Sequence, residues 1–129
     1  MIVLDACVLI AHLDSTDAHH EQATQLLAAA ATESFAASAL TLAEVLVGPS
    51  RAGWADRAAA TLRRLGVRPV AIDDGSPARL AALRASTKLT MPDCCVLLAA
   101  QQTAASLVTF DDRLVKAAEQ LGIPVRATP

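Results

Sequence analysis

A chain of 129 residues is about twice the length at which a core becomes hard to build, so one compact unit over residues 1–129 is expected. Hydrophobic residues make up 53% and aromatics 2%, which excludes a disordered chain and demands a core of Ala, Val, Leu and Ile rather than large rings. Eleven Lys and Arg against thirteen Asp and Glu give a net charge of −2, which excludes a polybasic coat for nucleic acid or membrane and makes any basic surface local.

Met1 to Leu4 is a short run of Ile, Val and Leu that reads as a buried strand stopping at Asp5. Ala6 to Leu13 continues at helical spacing, and Asp14, Ser15, Thr16 and Asp17 supply turn and cap chemistry before a second helix from about Ala18 to Thr32. His19 and His20 near its start read as solvated helix residues. Ser34 to Ser38 is a strand of small residues around Phe35. Leu40 to Val47 is helical and is ended by Gly48 and Pro49; Gly53 to Leu65 follows as a helix stopped by Gly66, so the two form an αα-hairpin.

Val67 to Ile72 reads as a strand ending at Asp73 and Asp74, and Pro77 to about Thr87 as a helix. Met91-Pro92-Asp93 opens a helix whose body, Cys94 to Ala100, is apolar nearly all round and so belongs in the interior. Ser106 to Phe110 is a further strand, Asp111 and Asp112 begin a helix to Leu121 capped by Gly122, and Ile123 to Arg126 is a last edge strand. Short apolar strands alternating with helices predict an α/β domain with a parallel sheet, whose ligands lie off the carboxyl ends of the strands. Cys7, Cys94 and Cys95 lack ligand spacing and read as small buried apolar residues of a reducing compartment. The longest uncharged stretch, Cys94 to Phe110, is interrupted by Gln101, Gln102 and Thr103, and Met1 to Asp5 meets an acid too early for a signal peptide. A soluble, cytoplasmic protein without a membrane span is expected.

That rule about strand ends makes the acids informative. Asp5 and the pair Asp111 and Asp112 follow strands far apart in sequence, and of two adjacent acids only one can cap the next helix. Glu44 lies four residues after Leu40 and three before Val47, in register with an apolar stripe, and reads as a half-buried ligand or as a carboxylate at the stripe's edge. Asp93 shares a face with Leu97 and Ala100, although Thr90-x-x-Asp93 also suits a capping box. Four carboxylates in one pocket repel one another and resist desolvation unless a hard cation, magnesium or manganese, neutralises them. Leaving them out of the tally sets eleven bases against nine acids, so net −2 becomes +2: a mildly basic surface around one acidic pocket, suited to a polyanion bridged by metal.

Asp5 in V-L-D-A-C-V-L-I, Glu44 in T-L-A-E-V-L, Asp93 in M-P-D-C-C-V-L-L-A-A and Asp111 in L-V-T-F-D-D-R-L together resemble the PIN-domain ribonucleases, and among them the VapC toxins of bacterial toxin–antitoxin pairs. The likeness runs from Met1 to about Pro124 and takes in D-A-H-H-E-Q-A at residues 17–23. It implies a three-layer α/β/α PIN-like domain with a central, mostly parallel sheet. It also implies Mg²⁺- or Mn²⁺-dependent endonucleolytic cleavage of RNA by an activated water, leaving 5′-phosphate and 3′-hydroxyl ends.

In that likeness Asp5, Glu44, Asp93 and Asp111 are the catalytic acids holding one or two ions, Asp112 is a further candidate ligand, and Thr109 is the hydroxyl that supports them. The chain departs from the family at Ala6 and Cys7, where Ser, Thr or Asn is common, so that a thiol replaces a hydroxyl or amide. Arg51, Lys88 and Arg113, around the motifs, are candidates for phosphate contacts. Partners implied are an RNA substrate, a second copy in a homodimer and a VapB-type antitoxin, for which Trp54 in the hairpin is the candidate anchor.

Two other small α/β classes fit worse. A receiver domain needs an acidic pair after its first strand, and a D-x-D phosphatase needs a second acid where Cys7 stands. The stronger rival is a PIN-like module that binds RNA or protein without cutting.

Overall fold

In the computed structural model, which describes residues 1–127, the opening apolar run forms β1 (Ile2–Leu4), followed by α1 (Ala6–Leu13) and α2 (His20–Ala29). Then come β2 (Phe35–Ser38), α3 (Ala39–Ala52), α4 (Ala55–Arg64), β3 (Val67–Val70) and α5 (Ser76–Ser86). α6 (Met91–Thr103), β4 (Ser106–Val108) and α7 (Asp112–Gln120) complete the order. The four strands make one parallel sheet in the order β3-β2-β1-β4, with Ile2 opposite both Phe35 and Ser106, and Phe35 opposite Val67.

The chain thus builds the sheet outward from β1 on one side, then returns to place β4 on the other. The crevice between the carboxyl ends of β1 and β4 is where the winding reverses, the position at which such sheets bind ligands. Strand periodicity divides the core into two layers. Val3, Ala36 and Leu107 face a cluster with Leu97, Leu98 and Leu114, whereas Ile2, Leu4, Phe35, Ala37 and Val108 face one with Val8, Leu9, Leu27 and Leu62. Helices therefore cover both faces, and α6 is interior as expected, with every residue from Cys94 to Ala100 buried. No helix among the described residues is long and apolar enough to cross a membrane.

The expected stop at Gly48 and Pro49 is overturned. α3 runs through both, and the αα-hairpin turns instead at Gly53, which sits in the left-handed region at φ 83° and donates its N–H to the Pro49 carbonyl. Pro49 removes one helical donor, but its ring continues the buried row of Thr41 and Val45, so packing outweighs the local rule. The expected edge strand at Ile123 to Arg126 is reduced to a single bridge of Val125 with Leu107, flanked by bonds from Leu107 N–H to the Pro124 carbonyl and from Arg126 N–H to the Leu107 carbonyl. Pro124 has no N–H with which to extend the ladder. His20 is also not simply solvated: it is half-buried with Nδ1 2.8 Å from the Ala11 carbonyl, while His12 Nδ1 lies 2.9 Å from Thr24 Oγ1, so α1 and α2 are cross-tied.

Two glycine substitutions separate these readings of the hairpin. Gly53→Ala keeps open space around the new methyl but must hold the left-handed backbone, and should cost about 1–2 kcal/mol in urea unfolding. Gly48→Ala, also in open space but inside the helix, should be stabilising by up to about 1 kcal/mol. The reverse ranking would place the stop at residue 48.

Candidate functional site

Asp5 is the first residue beyond β1 and only 8% exposed. One oxygen, Oδ1, accepts the Ala6 N–H at 2.7 Å and caps α1; the other, Oδ2, accepts the Thr109 hydroxyl at 2.6 Å and the Cys7 thiol at 3.3 Å. Thr109 is buried at the end of β4 and also accepts the Asp111 N–H at 3.0 Å, so a single hydroxyl joins the two strand ends. Cys7 is accordingly not the inert apolar residue expected. Its sulfur accepts the Phe110 N–H at 3.4 Å, and burial, followed by the Asp5 charge, pushes its thiol up to about 11, so it stays protonated and donates.

Asp93 is half-buried at the start of α6, with Oδ2 accepting the Thr90 hydroxyl at 2.8 Å and the Thr90 N–H at 3.3 Å in a capping box. Asp111 caps α7 through the Arg113 N–H at 2.9 Å and is paired with the Arg113 guanidinium at 3.2 Å. Burial raises its pKa, but the contacts to Arg113 outweigh that and hold it below the usual aspartate value. Capping and site formation thus coincide in three acids.

Glu44 differs from all three. It is exposed rather than half-buried, because it lies one position off the Thr41, Val45 and Pro49 row. It caps no helix and makes no ion pair among the described residues. Its carboxyl is nevertheless pushed up, first by partial loss of water contact and then by the charges of Asp5 and Asp93, which places the three acids in one another's field.

Asp112 does not join them. It is exposed and lines a separate cleft with His19, Glu119 and Arg126, as the helical turn after Asp111 carries it away. Arg113 stands against Asp111 and feels the Asp93 charge; Arg51, in the last turn of α3, and Lys88, just before α6, are exposed and unpaired among the described residues. Trp54 is half-buried between α3 and α4, where two adjoining clefts share it with Leu13. Among the described residues no three His, Cys, Asp or Glu side chains are close enough to grip an ion together; Asp5, Asp93 and Asp111 are turned to Thr109, Thr90 and Arg113 respectively. Neither the thiol's role nor the arginine's pairing was visible in composition; position 7, two residues after Asp5, was the only signal.

The family model described as PIN domain matches residues 2–120. Among solved structures, a toxin–antitoxin complex from Klebsiella pneumoniae is 29% identical with a TM-score of 0.73, over 86% of this chain and 87% of that one. VapC20 of Mycobacterium tuberculosis, a toxin that cleaves the sarcin-ricin loop, is 18% identical with a TM-score of 0.80 over the whole of both chains. FitAcB from Neisseria gonorrhoeae is 22% identical with a TM-score of 0.75, over 98% of this chain and 97% of that one. These last two show the shared fold alone. A search of curated proteins finds no match.

The Glu44 environment fixes a pH dependence. The folded protein holds the Glu44 proton more tightly than the unfolded chain, so ionising it costs stability above the ordinary glutamate value of 4.5. In EDTA at pH 7, Glu44→Gln should therefore melt above the parent, and the gap should close as pH falls below 4.5. A gap independent of pH would refute the shared field.

Proposed function

The chain belongs to the PIN-domain family, and on that premise we propose that it is a metal-dependent endoribonuclease acting as the toxin of a toxin–antitoxin pair. The observation that carries this reading is the convergence of Asp5, Glu44 and Asp93, from three separate elements, into one field at the winding reversal of the sheet. The donor set fits a hard divalent cation: all oxygen, anionic, and with no basic side chain answering Asp5, Glu44 or Asp93 among the described ion pairs. Asp5, Glu44, Asp93 and Asp111 would hold Mg²⁺ or Mn²⁺. A bound ion of this kind supplies Lewis acidity at a phosphate and a water of lowered pKa.

The chain's own residues supply the rest. Thr109 fixes the Asp5 carboxylate through its hydroxyl and the Asp111 backbone through its oxygen, so the two acids keep their spacing. Arg113 is placed to exchange its pairing with Asp111 for a phosphate oxygen of RNA, with Lys88 and Arg51 as outer contacts. No protein nucleophile is needed, and water adds to phosphorus with departure of the 3′ oxygen.

A VapB-type antitoxin, and a second copy of the chain, are the proposed protein partners. The smaller cleft at Trp54, about 410 Å³, has Ile10, Leu13, Val45 and Pro49 as apolar walls and Glu44 at its margin, so a segment anchored there is brought to the acids. A basic side chain on that segment would meet Glu44.

Two experiments test these assignments. Purified protein should cut total RNA with Mg²⁺ or Mn²⁺ but not with EDTA, and Asp5→Asn should lower cutting at least about a hundredfold. Cuts shared equally by the variant would overturn the nuclease in favour of a binding module. Trp54→Ala should weaken capture of the antitoxin encoded by a neighbouring reading frame about 30-fold, as expected for an aromatic anchor, and unchanged affinity would move the interface elsewhere.

A further inference from the structure

The motif Asp17-Ala18-His19-His20 plays no part in the acid group, yet it folds beside it. Asp17 Oδ1 accepts the His19 N–H at 2.8 Å and fixes the turn before α2. The His19 ring then stacks on Phe110, with centroids 4.7 Å apart and planes at 18°. Phe110 is itself bound to the site through its N–H on Cys7 Sγ, the sulfur whose proton goes to Asp5. The His19 side chain remains 54% exposed. The chain has two Phe, one Trp and no Tyr, and its other Phe, Phe35, is 3% exposed in the core. An aromatic pair held open beside the acids is therefore a selective use of a scarce resource.

Next to the pair is a cleft of about 340 Å³ lined by Cys7, Ile10, Asp17, His19, Phe110 and Asp111. Its walls are aromatic and aliphatic, and Ile10 is 40% exposed there. The charged groups at its rim, Asp17 and Asp111, are both carboxylates. Asp111 is turned to Arg113, which leaves Asp17 as the carboxylate that repels phosphate and accepts N–H groups, so a nucleic acid strand would present a base to this cleft and keep its backbone outside. A base still paired in a duplex has its faces covered and cannot enter without unstacking.

Resting on the ribonuclease reading above, we propose that this cleft seats one unpaired nucleobase of the RNA, stacked on the His19 and Phe110 rings beside the scissile phosphate. The seat makes His19 and Phe110 specificity-determining residues that help choose where the strand is cut. Stacking on an aromatic side chain tolerates any base, and an edge contact to Asp17 refines the choice.

The test uses a short single-stranded RNA, made also with an abasic nucleotide or 2-aminopurine at each position in turn. His19→Ala should lower kcat/KM on the intact RNA by about 5- to 150-fold, the range expected for loss of one stacked base, and His19→Phe should restore it. On RNA abasic at the seated position, parent and His19→Ala should cut equally slowly. In EDTA, 2-aminopurine at that position should be quenched on binding to the parent and not to His19→Ala, with melting temperatures matched. Cutting that ignores the abasic position, or binding without quenching, overturns the base seat and leaves the nuclease intact. Quenching without any cutting upholds the seat and overturns the nuclease.

Discussion

The hydrogen bond from the Thr109 hydroxyl to Asp5 Oδ2, 2.6 Å long and buried, is the contact on which the rest of the site depends. It joins the ends of the two strands that flank the winding reversal, one step beyond the last ladder bond, from the Asp5 N–H to the Val108 carbonyl at 3.1 Å. The same hydroxyl receives the Asp111 N–H, so the start of α7 is registered against β1 through a single oxygen. A buried, charge-assisted bond of this kind is costly to break, because its loss leaves a carboxylate with one fewer donor in a site with little water.

Around that bond the acids serve two purposes that physical chemistry allows to coincide. A carboxylate at a helix start satisfies free N–H groups and meets the positive end of the helix dipole, and Asp5, Asp93 and Asp111 do this for α1, α6 and α7. The helix starts are thereby gathered at one end of the sheet, and their caps with them. Glu44 stands outside this arrangement, on the flank of α3, and its carboxyl is raised first by partial loss of water contact and then by the charges of Asp5 and Asp93. At Asp111 the charge is offset by Arg113 from two residues away.

Much of this was legible from the sequence, because strands and interior helices announce themselves through their own residues. Ile2–Leu4 is an apolar run stopped by Asp5, Ser106–Val108 is a short run three residues ahead of Asp111, and the all-round apolar body of α6 required burial. Asp5, Asp93 and Asp111 stand where the sequence puts them, at strand ends and helix starts, whereas the apolar-stripe reading of Glu44 fails because that side chain lies one position off the buried row. What escaped depended on partners distant in sequence. Pro49 reads as a helix stop until its ring is seen in a buried row with Thr41 and Val45. Cys7 reads as a core residue, yet its thiol donates to nearby Asp5 and its sulfur accepts the N–H of Phe110, which arrives just beyond β4. The stacking of His19 on Phe110 has no local signature at all, and Asp112 is told apart from Asp111 only by the turn of α7.

The order of the sheet also governs when the site comes into being. β1 has β2, its successor in the chain, on one edge, but its other edge is filled by Ser106–Val108, about a hundred residues on. A nascent chain that has emerged through α6 carries Asp5, Glu44 and Asp93 without the strand and hydroxyl that bring β1 and α7 together. Contacts between such distant parts of a chain form late, after the entropy of closing a long loop has been met. The acidic centre is therefore tied by contacts between the two ends of the described sequence, and it cannot be complete before residues 106–111 are in place.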